Sequence, residues 1–290
     1  MSIPINTQCL ECHLTKSLAI ARSRGSDETA MAFARELLNL YQTFPEGASS
    51  AWFSPHTSPL FLKYYQYDPD DMQQERIESN QFVLDRLEDI RRRVTGAKDP
   101  VLAGLQFSIL GNYLDFSALR GKVDFSQLDK MMDDALEMEL DQENYVNLCK
   151  DLEQGKKLLY LTDNAGEIGF DRIFAEVLQA AYPHLQITFC VRGMPVHNDA
   201  TREDAALMGI PFPVIDNGNG YGGTVIEELS QEAKTALEEA DVIIAKGMGN
   251  TESMYGCGYN VYYAFLVKCS RFVDVFQKPL MSPALIKERK

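Results

Sequence analysis

The sequence predicts an α/β protein: a three-layer, mostly parallel sheet domain over residues 155–290, preceded by an all-α helical domain over residues 1–154. The prediction rests on a change of period. From Asp27 to about Lys150 apolar residues recur at helical spacing, whereas after Gly155 short apolar runs alternate with amphipathic stretches. Those runs are continuous and do not alternate with polar residues. They therefore mark strands covered on both faces, as in a Rossmann-like layered sheet.

In the N-terminal half, Met31, Ala34, Leu38 and Tyr41 form one apolar stripe, and Val83, Leu87, Ile90 and Val94 form another. Further helices are expected over 100–114, 126–140 and 144–153. Residues 44–71 carry Pro45, Pro55, Pro59 and Pro69 and read as a long irregular connection.

The second half reads as strand 157–162, helix 168–181, strand 187–191, helix 199–208 and strand 213–215. A helix over 225–240 follows, which Thr224 and Glu227 open as a capping box, and then a strand over 242–245. Residues 261–276 read as one or two more strands.

The chain has 290 residues, long enough to bury a core without disulfides or a structural metal. Its 28 Lys and Arg against 42 Asp and Glu give a formal charge of −14, which disfavours nucleic acid and anionic membranes as partners. An anionic ligand would need local correction of that charge, and a bound divalent cation supplies it. Residues 1–20 include Glu11 and Lys16 and hold no apolar run of signal-peptide type. No uncharged stretch approaches the roughly 18 residues that span a bilayer. A cytoplasmic protein is expected, with its six cysteines as thiols or metal ligands.

Ligands of an open parallel sheet bind beyond the carboxyl ends of the strands, so the turns after the strands matter most. Three are rich in functional groups: Thr162 to Glu167, Arg192 to Ala200, and Lys246 to Asn250. Asp163, Asn164 and Asp199 are hard oxygen donors suited to Mg²⁺ or Mn²⁺. Taken singly, each is as well explained as a helix cap or turn former, and convergence on one rim is what favours a site. Arg192 and Lys246 are the cations of these turns and suit phosphate oxygens.

These stretches resemble the metal-dependent damage-control phosphatases. The resemblance is carried by Asp163-Asn164-Ala165-Gly166-Glu167-Ile168, by Arg192-Gly193-Met194-Pro195 running into Asn198-Asp199-Ala200, and by Ala245-Lys246-Gly247-Met248-Gly249-Asn250. Asp68-Pro69, Asn80 and Gly111 to Phe116 match in the helical half. The resemblance implies Asp163, Asn164 and Asp199 as metal ligands, and Glu167, Arg192, Lys246 and Asn250 facing the phosphate. It also implies that Asn112 and Asp115 enter the cleft from the helical domain. The implied activity is hydrolysis of small phosphomonoesters, such as sugar phosphates or damaged phosphometabolites. Mn²⁺ or Mg²⁺ is the expected cofactor, with Co²⁺ and Ni²⁺ as further candidates. For catalysis, a water held by the metal and positioned by Glu167 or Asp199 is the first choice of nucleophile, and Asp163 itself is the second.

Two features are read as distractors. Cys9 and Cys12 have the spacing of a haem attachment but lack an export signal; two thiols buried in helix packing is the simpler description, with a redox or accessory metal role as the alternative, and the pair resembles the N-terminal cysteines of one branch of the same family. The loop Asn217 to Gly223 does not follow the first strand, so a dinucleotide site is not expected, although the loop is placed to close over substrate. Competing functions are a non-catalytic, metal-dependent phosphometabolite-binding protein and an S-adenosylmethionine-dependent carboxyl methyltransferase. Oligomeric state is not legible.

Overall fold

The computed structural model describes residues 2–69, 71–116, 118–119 and 123–288. Its helical half contains α1 (Thr7–Arg24), α2 (Asp27–Tyr41), α3 (Phe53–Tyr65), α4 (Gln73–Leu84), α5 (Leu87–Thr95), α6 (Pro100–Gly111), α7 (Phe125–Asp133) and α8 (Gln142–Gln154). The alternating half runs β1 (Lys157–Leu161), α9 (Glu167–Ala181), β2 (Gln186–Val191), α10 (Arg202–Leu207), β3 (Val214–Asp216), α11 (Gln231–Glu239), β4 (Val242–Lys246), α12 (Gly247–Met254), β5 (Val261–Leu266), α13 (Ser270–Phe276) and β6 (Pro283–Lys287).

The six strands form one sheet in the order β3-β2-β1-β4-β5-β6. All neighbours are parallel except β5 and β6. Chain order reverses between β1 and β4, whose register pairs Leu161 with Ala245. The crevice at such a reversal is where doubly wound sheets bind ligands.

One buried apolar cluster runs from Phe82 to Leu285, joining α4–α9 to one face of the sheet. A second joins Leu159, Ile243, Tyr263 and Phe265 on the other face to Leu237 of α11 and Phe272 of α13. A third unites α1–α3 through Ala21, Phe33, Leu37 and Phe61. Helix α6 starts at Pro100 behind the capping side chain of Asp99 and is apolar on nearly every side, so it is buried between α9 and the sheet. A Cβ at Gly111 would meet Phe170 Cδ2 at 2.8 Å. Only glycine lets the end of α6 approach α9 so closely, and the next residue is Asn112.

Several expectations are corrected. Residues 44–71 contain α3, since Pro55 lies in its first turn, where the missing N–H has no intrahelical partner to lose. Met31 and Leu38 are exposed, and the buried stripe of α2 is Ala30, Phe33 and Leu37. The second stripe is divided between α4 and α5, with Asp85 and Arg86 at the break. Thr224 opens no helix, because α11 starts at Gln231 behind Ser230. Residues 270–276 are helical, and the last strand is β6. Cys12 is exposed and Cys9 only partly buried on α1; all six cysteines are free thiols. Among the described residues no helix is long and apolar enough to cross a membrane.

Candidate active site

The turns after β1 and β2 are zipped together by backbone hydrogen bonds. Ala200 N donates to Asp163 O at 2.7 Å, and Ala165 N donates to Asn198 O at 2.8 Å. This pairing brings Asp163, Asn164 and Asp199 to one rim. Asn198 also fixes the helical half, donating to Leu114 O at 2.6 Å and accepting from Phe116 N at 3.2 Å. Asp115 is thereby held at the same place.

A cavity of about 150 Å³ opens there, lined by Asp115, Asp163, Asn164 and Asp199 among the residues expected from sequence. Ser50, Ser54, His197 and Glu252 also line it. His197 adopts φ +50°, unusual for a side chain of its size, and its Nε2 lies 2.9 Å from Ser54 Oγ.

The other expected residues stand behind this rim. Glu167 is wholly buried and accepts from Asn112 Nδ2 and Asn164 Nδ2 at 2.7–3.2 Å. The same Asn112 Nδ2 lies 3.0 Å from Asp163 Oδ2. Lys246, expected to face a phosphate, is also wholly buried: its ammonium donates to Glu167 Oε1 at 2.6 Å, Ser108 O at 2.8 Å and Asp171 Oδ1 at 2.9 Å. Three partners use its three donors, so it acts on the site through Glu167. Asn250 is buried as well, donating to Thr162 O and Lys246 O and accepting from Arg192 Nη1 and Thr224 Oγ1. Thr224 thus serves the site and not a helix cap.

Arg192 Nε donates to Asp199 Oδ2 at 2.6 Å. Its Nη2 is buried 3.7 Å from Asp163 Oδ1 and has no hydrogen-bond partner among the described residues. Lys268, which sequence reasoning missed, donates to Asp115 Oδ2 at 2.6 Å and Asn112 O at 2.7 Å. It follows β5 on the same rim, and its position after an apolar strand was the available signal.

Negative charge dominates. Burial, then repulsion from Asp199, Glu167 and Asp115, pushes the Asp163 carboxyl well above the ordinary carboxylate range, with Lys268 opposing. Burial raises Asp199 despite Arg192. Burial also raises Asp171 to about 6, against the pull of Lys246. Asp115 is held low because Lys268 and the Ala118 N–H outweigh its burial.

Among the described residues no three His, Cys, Asp or Glu side chains come together as a metal cluster. The donor set is different: two carboxylates, Asp163 and Asp199, and the amide oxygen of Asn164. Asn164 Nδ2 is committed to Asp163 and Glu167, which leaves Oδ1 as its ligand-capable atom. That set fits Mg²⁺ or Mn²⁺, which bind through one or two carboxylates and leave other positions to water and phosphate. Arg192 Nη2, without a hydrogen-bond partner among the described residues, fits an anionic oxygen.

A larger cavity of about 650 Å³, lined by Asp151, Asp241, Asn260 and Lys287 among others, lies at the opposite ends of the strands. Its charges are met internally: Lys287 Nζ reaches Asp151 at 2.7 Å, and Asp241 accepts from Lys156 N and Lys157 N. The small cavity at the strand reversal is the better candidate.

The fold and site define a doubly wound α/β protein with an acidic, oxygen-rich crevice at the β1/β4 reversal. The chain belongs to the family of the damage-control phosphatase ARMT1-like domain, whose model matches residues 5–282. It is 31% identical to the uncharacterized protein MJ0202 of Methanocaldococcus jannaschii over 288 residues, covering 92% of this chain and 90% of that one. It is 38% identical over 167 residues, 56% of each chain, to a protein of Archaeoglobus fulgidus named damage-control phosphatase. Damage-control phosphatase PH1575 of Pyrococcus horikoshii is 27% identical, with 91% of each chain covered. A crystal structure of that organism's duf89 family protein shares the fold, with a TM-score of 0.81 over the whole of both chains at 23% identity.

Proposed function

We propose that this protein is a metal-dependent phosphatase that hydrolyses small phosphomonoesters, such as sugar phosphates or damaged phosphometabolites. The observation that carries the reading is the convergence of Asp163, Asn164 and Asp199 on one small cavity, with Arg192 Nη2 buried 3.7 Å behind Asp163 Oδ1. Family membership and two relatives named damage-control phosphatases support it.

In this reading Asp163, Asn164 and Asp199 hold a divalent cation, Mn²⁺ or Mg²⁺ first and Co²⁺ or Ni²⁺ as alternatives. When bound, the cation neutralises phosphoryl charge and makes water more acidic. Arg192 donates from Nη2 to a phosphoryl oxygen as charge builds there. Asp199, its Oδ2 fixed by Arg192 Nε, orients the attacking water. Lys246 holds Glu167, and Glu167 together with Asn112 and Asn164 fixes Asp163. Preorganisation of this kind spares the site from rearranging during reaction.

The test is release of inorganic phosphate from a panel of sugar phosphates and an aryl phosphate, on chelator-stripped protein with each metal added back. Metal-restored release supports the reading. Saturable binding without release would replace it with a phosphometabolite-binding protein.

A further inference from the structure

Besides the proposed cation ligands, the cavity is lined by a second pair of carboxylates, Asp115 and Glu252. Their charges are met differently. Asp115 is paired with Lys268, and its other oxygen accepts from Ala118 N at 2.8 Å. Glu252 accepts hydrogen bonds from the backbone N–H and hydroxyl of Ser50, both on Oε2, and the Arg271 guanidinium acts on it through charge without forming an ion pair. Among the described residues no donor reaches Glu252 Oε1, and no Lys or Arg makes an ion pair with it. Ser50 lies 202 residues away, on the wall contributed by the helical half. The carboxylate is therefore pinned on one oxygen at the wall of the cavity that Asp163, Asn164 and Asp199 also line.

A carboxylate can only accept hydrogen bonds, and an anion brought close to it is repelled. The cavity is also small against the usual few hundred Å³ of ligand pockets, which places Glu252 near any group held in it. Resting on the phosphatase reading, we infer that Glu252, held by Ser50, is a specificity-determining residue. It accepts a hydrogen bond from a donor on the organic part of a small phosphomonoester and rejects organic parts that carry a second anion. Hydroxyl and ammonium donors share the required chemistry.

The experiment compares three small phosphomonoesters of similar size, bearing a hydroxyl, an ammonium or a carboxylate. Both kcat/KM and equilibrium binding are measured on the metal-loaded wild type, Glu252→Gln and Ser50→Ala. The wild type is expected to favour either donor-bearing ester over the carboxylate ester by roughly 10- to 100-fold, the range of a charge-assisted hydrogen bond. In Glu252→Gln that ratio should shrink at least several-fold, most for the ammonium ester, whose charge attraction is lost. The hydroxyl and ammonium esters identify which donor the wild type prefers. Equal use of the carboxylate ester by the wild type, or an unchanged ratio in Glu252→Gln, would overturn the inference. Ser50→Ala keeps the carboxylate and tests the pinning: its ratio should fall only partway. Selective binding without phosphate release would contradict the phosphatase reading while leaving the selectivity assignment standing.

Discussion

Lys246 Nζ donates to Glu167 Oε1 at 2.6 Å with neither side chain exposed, and Asn112 Nδ2 bridges that glutamate to Asp163 Oδ2. The rim aspartate is thus supported by a buried ion pair two side chains away. Asp171 shares the ammonium at 2.9 Å, and Tyr160 and Ser108 donate to the same Asp171 oxygen.

Lys246→Met leaves Glu167 and Asp171 buried without a cation. Breaking one side of a buried pair costs about 3–5 kcal/mol, so urea unfolding of the metal-free protein should show a loss of that size. A loss under about 1 kcal/mol would mean that Lys246 does not support the fold.

Asp163→Asn and Asp199→Ala should both abolish metal-dependent phosphate release yet differ from each other in stability. Asp163 is raised by burial and by its carboxylate neighbours, so its neutral replacement should leave the metal-free melting temperature unchanged or higher. Asp199→Ala strands the buried Arg192 guanidinium, a loss of about 3–5 kcal/mol. Equal melting temperatures for the two variants would contradict the Arg192–Asp199 pairing.

Gly247 has φ +76°, and a Cβ there would overlap the Asp163 carboxylate. Gly247→Ala should therefore displace the Asp163 carboxylate, lowering kcat/KM by at least roughly tenfold, the equivalent of 1.4 kcal/mol. Calorimetric titration should show weakened metal binding. Wild-type metal affinity in this variant would show that the turn does not hold Asp163 in place.

Much of this was legible because strand interiors are written in continuous apolar residues. Leu158 to Leu161 and Val242 to Ala245 mark β1 and β4, and the turns after them carry Asp163 and Lys246. What the turns could not reveal was depth. Lys246 and Glu167 belong to motifs that suggest contact with a ligand, yet they face inward because α6 brings Ser108 and Asn112 over them. Helix α3 was hidden by Pro55 and Pro59, and Thr224 looked like a cap because Glu227 follows at the right spacing. Ser50, Ser54 and Glu252 are ordinary polar residues that become a cavity wall only when distant segments meet.

Stability in acid should depend on Asp151, far from the site. Burial raises its carboxyl, but hydrogen bonds from Lys287, Tyr262 and Asn260 outweigh burial and hold it below the ordinary value of 3.8. A depressed folded-state value means the carboxylate stabilises above the unfolded value and loses that contribution as pH falls through the folded one. Asp151→Asn should be less stable than wild type by about 1–3 kcal/mol at pH 7. The gap should close as pH falls below 3.8. A gap that stays constant with pH would exclude the ionised carboxylate as its source.

One titration decides whether Asp163, Asn164 and Asp199 form a cation site for phosphomonoester hydrolysis. Inorganic phosphate release from an aryl phosphate is followed while Mn²⁺ or Mg²⁺ is added to chelator-stripped wild type and to Asp163→Asn. Saturable, metal-restored release is expected in the wild type and none in the folded variant. Release that needs no added metal, or that survives in Asp163→Asn with the same metal dependence, would rule out a cation site at Asp163.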